Sequence, residues 1–420
     1  MLFASGDFVQ FVSIGFLIGF LLIAVQGLLQ GAQSIQFQHL LVSFILYSLL
    51  FVPTVSVTIE GAYSGTARVV DNVPLGPALV GSTVSNLGYG ITRLFEQAFA
   101  TPTMTENGYI DALQVLATVR KTALSRLTLG DANSPSAGAN VEQSWINYVA
   151  DCVLYGVDRQ IDGATLDRLL KATTVDAALQ TPIVTGTTEV SLGLARETLT
   201  CIDAYAKLRD YTSTAFLPAF QQALAAKLGT ASGSVTTRVS GALAGGAVDA
   251  QQYMTMAALL PMFEKGVIQH YRDLGDAGAA AQAAQAIAQR NSQWATEQTL
   301  LIKIMRPMMV YFEGFMFAIG PFMAFAIGLG PLGIGMVGKY LMFGLWIQLW
   351  MPILAISNLY LLMVTERAFE AMATHNGAVL PSFRALYESD LLLQDYLGTA
   401  GVLIASTPAI SLMLIYGSAI

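Results

Sequence analysis

Between Asp7 and Glu60 the chain carries no Lys, Arg, Asp or Glu, and residues 314–338, 340–365 and 396–420 are equally free of charge. A helical crossing of a bilayer core takes about 20 apolar residues, so each run is long enough to span. The rest of the composition offers no way to keep such runs in water. Of 420 residues, 54% are apolar and only 12% charged, where an ordinary globular chain has about 25% charged. A soluble enzyme is excluded. The chain reads as an all-α, polytopic membrane protein.

The first crossing is expected over 8–29 and, being too long for the apolar part of a signal peptide and with no Lys or Arg before it, is expected to be retained. With a second crossing over 40–59 it makes an N-terminal hairpin, residues 1–59. A third over 307–329 and a fourth over 336–364 flank a Gly/Pro-rich turn, and a last apolar segment covers 397–420. Together these form a C-terminal bundle, residues 301–420. Pro408 lies near the middle of the last segment, where it removes an amide donor and crowds the preceding turn. Two outcomes stay open there: a re-entrant hairpin of two half-helices, or a proline-kinked fifth crossing.

Residues 60–300 hold most of the charge, 16 Lys and Arg against 21 Asp and Glu. They are expected to form a water-exposed domain inserted between the membrane segments. Helical apolar spacing recurs over 80–99, 109–127, 145–157, 166–179, 197–211 and 214–227, with a short hairpin near 183–190. The Ala/Gln-rich stretch 277–299 has strong helix propensity and could run into the third crossing as a stalk. The mild acidity argues against sequence-specific nucleic-acid binding, which needs clustered basic residues. Arg120, Lys121 and Arg126 read as one solvated helix face.

The chain has two cysteines, Cys152 and Cys201, both in this block. A pair with no others is most simply a disulfide, which places the block in an oxidising compartment, the periplasm. Two unrelated buried thiols are the plain alternative. His39, His270 and His375 show no metal-ligand spacing. Gly333-x-Gly335-x-x-Gly338 matches a dinucleotide fingerprint in letters only, since no strand precedes it and no carboxylate follows at the required distance. No nucleophile, base and orienter set is visible. Neither catalysis, a cofactor nor a metal is expected.

Within the apolar segments, Gly15 and Gly19 are spaced so that two helices can approach closely in lipid. They are expected to serve association, with the third and fourth crossings, in a homo-oligomer. Glu313 is a carboxylate in a crossing, where ionisable groups usually face a bundle interior or water. It either lines a pore or subunit contact, or snorkels to headgroups near Arg306. Three functions fit a membrane anchor that presents a large helical domain: a subunit of a transenvelope assembly, a small-solute transporter, or a membrane-anchored periplasmic sensor. A transporter predicts matching halves with paired broken helices, which the sequence lacks, and no segment is long enough for a sensor's cytoplasmic output domain.

After the second crossing comes Arg68-Val69-Val70-Asp71-Asn72-Val73-Pro74-Leu75-Gly76-Pro77-Ala78. This string resembles the segment that follows the paired N-terminal crossings in the TraG N-terminal family of conjugation proteins. Tyr148-Val149-Ala150-Asp151-Cys152-Val153, Thr200-Cys201-Ile202-Asp203, the pair Trp346 and Trp350, and Thr407-Pro408 follow in the order expected of that family. The resemblance covers nearly the whole chain, and its motifs mark a scaffold rather than a chemistry. It implies an inner-membrane channel or platform subunit of a conjugative type IV secretion system, acting in pilus assembly and DNA transfer. The implied partners are membrane lipid and other subunits of the apparatus or pilus. The family's long C-terminal part, which serves mating-pair stabilisation, is not expected in this chain. Arg68, Asp71, Asn72 and Pro74 are expected to form a docking or positioning element at the membrane surface, Val73 being held extended by the proline after it.

Overall fold

The computed structural model describes residues 6–29, 37–61, 67–99, 104, 109–124, 140–183, 185–193, 195–243, 248–296 and 299–417. Over these residues the regular structure is helical apart from two small antiparallel hairpins, an all-α polytopic architecture. Four helical stretches are long and apolar enough to cross a membrane: Asp7–Gln26, Pro307–Gly328, Leu332–His375 and Phe383–Tyr416. The apolar helix Leu41–Leu50 is shorter.

Packing divides the chain into two compact units. One comprises Met1–Tyr109, Thr299–Tyr360 and Ala400–Ile420; the other comprises Ile110–Gln298 and Leu361–Thr399. The division expected from charge, 1–59, 60–300 and 301–420, concerns which residues meet water. Packing instead takes residues 60–109 into the first unit and 361–399 into the second.

In the first unit the helix Gly6–Leu29 packs against the helix Thr299–Gly328. Phe8, Val12, Phe51, Ala324 and Ile327 form a buried cluster, and Phe11 stacks on Phe325 with ring centroids 4.7 Å apart. The helix Phe37–Leu50 is followed by a strand, Thr54–Glu60, so the crossing expected over 40–59 ends about ten residues early. Val55, Val57 and Ile59 alternate with Thr54, Ser56 and Thr58, the period of an extended strand rather than a helix. The partner strand is Ala67–Pro74, with Val57 opposite Val70 and Ile59 opposite Arg68.

The expected fourth crossing is two helices, Pro331–Gln348 and Trp350–Asn376. Pro352 lacks the N–H that the Gln348 carbonyl would accept, which interrupts the ladder beside Leu349, but Leu349 keeps helical dihedrals and the two run on as one stretch. The last segment does not re-enter: Phe383–Tyr416 is one helix through Pro408. Pro408 has no N–H to give the Ile404 carbonyl, yet the helix runs on, packed against a neighbouring helix through Trp346. Trp346 Nε1 donates to the Pro408 carbonyl at 2.8 Å, Ser411 Oγ donates to the same oxygen, and Thr407 Oγ1 donates to the Leu403 carbonyl.

The second unit is built around the helix Ala250–Asp273, which the apolar spacing above does not single out. Asp249 caps it, accepting from the Gln251 and Gln252 amides. Asp111–Leu124, Val141–Tyr148 and Ala277–Thr296 pack against it. The helix expected over 145–157 passes through a π-helical stretch, Val149–Leu154, and the one over 166–179 splits into Leu166–Lys171 and Val175–Leu179, capped by Thr165 and Thr174. A hairpin forms near its expected place, Thr187–Val190 with Glu197–Thr200. The join between 277–299 and the third crossing, at residues 297–298, lies outside the described residues.

Candidate functional site

The densest concentration of charge in the second unit is buried. Arg120 lies on the helix Asp111–Leu124 beside Leu113, Leu116 and Ala117, on the face that packs inward. Its Nε and Nη2 donate to the two carboxylate oxygens of Asp390 at 2.6 and 2.7 Å, a bidentate pair in which both side chains are 0% exposed. Its third contact depends on a proline. Pro261 stands inside the helix Ala250–Asp273 and has no N–H to give the Ala257 carbonyl. Arg120 Nη1 donates to that carbonyl instead, at 3.2 Å.

Arg290, from the helix Ala277–Thr296, extends the network. Its Nη2 donates to Glu264 at 2.6 Å, its Nη1 lies 2.6 Å from the other oxygen of that carboxylate, its Nε lies 3.6 Å from Asp390, and the guanidinium stacks 5.1 Å over the ring of Tyr387. Four helices thus meet at two guanidiniums and two carboxylates, formally neutral together. Burial acts to lower the Arg120 pKa, but the adjacent Asp390 carboxylate and its hydrogen bonds outweigh it, so the net shift is upward and the guanidinium stays charged. Burial likewise pushes the Tyr253 hydroxyl up. The arrangement has no nucleophile, so its chemistry is that of a lock: it ties residues 361–399 to residues 110–298.

Contrary to the expectation of a solvated basic face, then, Arg120 is buried. The solvated reading fails because a guanidinium with a bidentate carboxylate partner can be taken out of water. Arg126 lies outside the described residues. Asp390, Glu264 and Arg290 were not singled out from the sequence. Asp390 stands among the carboxylates of an acidic segment, yet it sits on the stripe Phe383, Leu386, Leu393 and Leu397, all of them buried.

Cys152 and Cys201 are bonded and fully buried. Cys152 comes from the π-helical stretch, and Cys201 opens the helix Cys201–Tyr211, capped by Thr200. The Cys201 amide donates to the Gly186 carbonyl at 3.0 Å, and a side chain at Gly186 would run into the Cys201 sulfur. The bond closes a sequence separation of 49 residues, which in the chain-entropy picture stabilises by about 4 kcal/mol. Cys152→Ser should therefore lower the melting temperature of the detergent-solubilised protein clearly, and unreduced, alkylated protein should give a cross-linked peptide pair by mass spectrometry. Both thiols alkylated without reductant would refute the pairing.

Among the described residues no cluster of His, Cys, Asp and Glu could hold a metal. His270 is committed to the Ala150 carbonyl at 3.0 Å and to Asp158 at 2.7 Å.

In the first unit Glu313 neither projects to solvent nor stands alone. It is half-buried and accepts from Gln348 Nε2 at 2.9 Å; the same nitrogen lies 3.4 Å from Ser85 Oγ. Its carboxylate is therefore held between helices of its own unit. The side chain of Arg306 lies outside the described ones.

Gly15 and Gly19 do permit close approach, but the partner is in the same chain. Gly15 meets the Phe325 carbonyl and Gly19 meets Gly328 and Leu329. The helix Thr299–Gly328 covers this face, so it is not open to a second copy, which corrects the expected homo-oligomer contact.

The remaining expected residues lie on the first hairpin. Arg68 is exposed opposite Ile59, and Asp71 accepts from Ser56 Oγ at 2.6 Å. Asn72 takes the left-handed conformation at the bulge, φ 59°, which asparagine adopts at less cost than most residues. Pro74 is buried where the strand ends.

A family model described as TraG-like protein, N-terminal region, matches residues 1–420. No curated protein and no solved structure matches the chain.

Proposed function

The chain belongs to the TraG-like N-terminal family of conjugative transfer proteins, and from that premise we propose that it is an inner-membrane channel or platform subunit of a conjugative type IV secretion system, acting in pilus assembly and DNA transfer. The observation that carries this is the match across the whole chain. The physical character agrees: apolar helices for a membrane, a disulfide-bonded helical unit, and no constellation of reactive groups among the described residues. Partners are other subunits of the apparatus and further copies of the chain.

The second unit lies in the periplasm, a position supported by its disulfide. The Arg120–Asp390 pair requires residues 361–399 to be on the same side as residues 110–298. The two apolar stretches between them, Pro307–Gly328 and Leu332 onward, take the chain across and back. The helix Phe383–Tyr416 then crosses once more and brings Tyr416 to the cytoplasmic side.

Deleting the coding sequence from a conjugative donor should abolish both pili and DNA transfer, with restoration in trans. Transfer at the parental frequency from the deleted donor would sink the proposal, and normal pili with lost transfer would remove the pilus-assembly part. Alkaline phosphatase fused at Ser232 should be active and the same fusion after Gly417 inactive; the reverse pattern would overturn the topology.

A further inference from the structure

The hairpin of Thr54–Glu60 and Ala67–Pro74 is exposed along almost its whole length, which is unusual for two strands with no further sheet to support them. An isolated two-stranded hairpin is marginal in water. Its two faces differ. Val55, Val57, Ile59, Val70 and Val73 share one face with Arg68, and Ser56, Thr58, Glu60 and Asp71 lie on the other with Val69. Ile59 is 57% exposed, Val70 41% and Val55 36%, while Val57 and Val73 are half-buried, so the apolar face is uncovered over most of its length.

Both ends of the hairpin are fixed at the end of the apolar helix Phe37–Leu50. The Leu75 amide donates to the Pro53 carbonyl at 2.9 Å, and Gly76 packs against Leu50. The outward side chains of that helix, Leu41, Phe44, Ile45 and Leu49, are exposed as a lipid-facing surface must be, and Val52 and Val55 prolong them into the strand. The uncovered apolar face is therefore continuous with the lipid-facing surface.

We infer that this hairpin is a membrane-surface element that lays its Val55, Val57, Ile59 and Val70 face on the bilayer interface at the exit of the second apolar helix. Each strand has one edge without a partner, and unpaired backbone groups are not tolerated in hydrocarbon, so the hairpin rests at headgroup depth, where water serves them. Arg68 stands on the lipid-facing side near the tip; its stem covers apolar surface while the guanidinium reaches lipid phosphates. Asp71, bonded to Ser56 on the opposite face, stays with water. The partner is thus phospholipid, and Arg68 adds a preference for anionic headgroups.

The test uses the full chain in nanodiscs of phosphatidylethanolamine and phosphatidylglycerol, with an environment-sensitive fluorophore on Ile59→Cys or Thr58→Cys. The native cysteines are bonded and do not compete for label, and their intact disulfide reports that each variant is folded. Spin-labelled lipid should quench the label at position 59 several times more than that at 58, with blue-shifted emission, while aqueous iodide should favour 58. Arg68→Ala should weaken lipid quenching at 59 in anionic discs and leave it unchanged in zwitterionic ones. Equal quenching at both positions would overturn the inference. So would a label at 59 shielded from lipid and iodide alike, since a protein partner would then cover the face.

Discussion

Asp390→Ala should be among the most damaging single substitutions in this chain. It leaves Arg120 fully buried without its bidentate acceptor and removes the second carboxylate near Arg290. Removing one partner of a buried ion pair costs about 3–5 kcal/mol, because the remaining charge stays out of water. For a unit of this size that corresponds to a fall in melting temperature on the order of 10 °C. The loss should appear as early unfolding of the detergent-solubilised protein and as protease cutting within residues 361–399. Asp390→Asn keeps the shape and one acceptor, and should fall between the two. The double change Arg120→Met with Asp390→Leu replaces the pair by apolar groups and should recover most of the loss. If Asp390→Ala melts within about 2 °C of the parent, well below the shift expected from breaking a buried pair, the lock is not structural.

That lock shows how a sequence can hold a signal that composition hides. Arg120 falls three to four residues after Leu116 and Ala117, on their side of the helix, and Asp390 falls on the stripe of Phe383, Leu386, Leu393 and Leu397. A charge centred on an apolar stripe at helical spacing argues burial more strongly than its charged neighbours argue exposure. What spacing could not supply is the pairing, since the two residues are 270 positions apart. The first hairpin was obscured differently. Residues 54–59 continue a run free of charge, so the crossing is expected to extend to 59, although Val55, Val57 and Ile59 alternate with hydroxyl residues at a strand's period. The disulfide was legible because two cysteines admit one pairing. The course of the last helix was not legible, because whether a proline breaks a membrane helix depends on the helices packed around it, and Trp346, which donates to the Pro408 carbonyl, comes from a separate helix.

The same dependence on an unseen neighbour decides what Gly15 and Gly19 do. Spacing of this kind tells only that two helices can approach closely, not which two. Here the contact is reciprocal. A side chain at Gly328 would meet the Phe16 amide at 2.8 Å and the Gly15 carbonyl carbon at 2.9 Å, and one at Gly15 would meet the Phe325 carbonyl oxygen at 2.7 Å. Gly19 is tighter still against the Gly328 carbonyl. Because backbone lies on both sides, no rotamer change can make room, and the helices must separate. Gly19→Ala should therefore destabilise by about 1–3 kcal/mol, the usual cost of an overpacked site, and Gly19→Leu by more. The loss should strike the single chain first, as lower yield in the membrane and a lower melting temperature at protein concentrations where it is monomeric. A homo-oligomer seam predicts the opposite order: an unchanged monomer and a broken assembly. Size-exclusion profiles of Gly19→Ala beside its melting temperature separate the two, and a fully stable monomer that no longer assembles would return these glycines to an interface between copies.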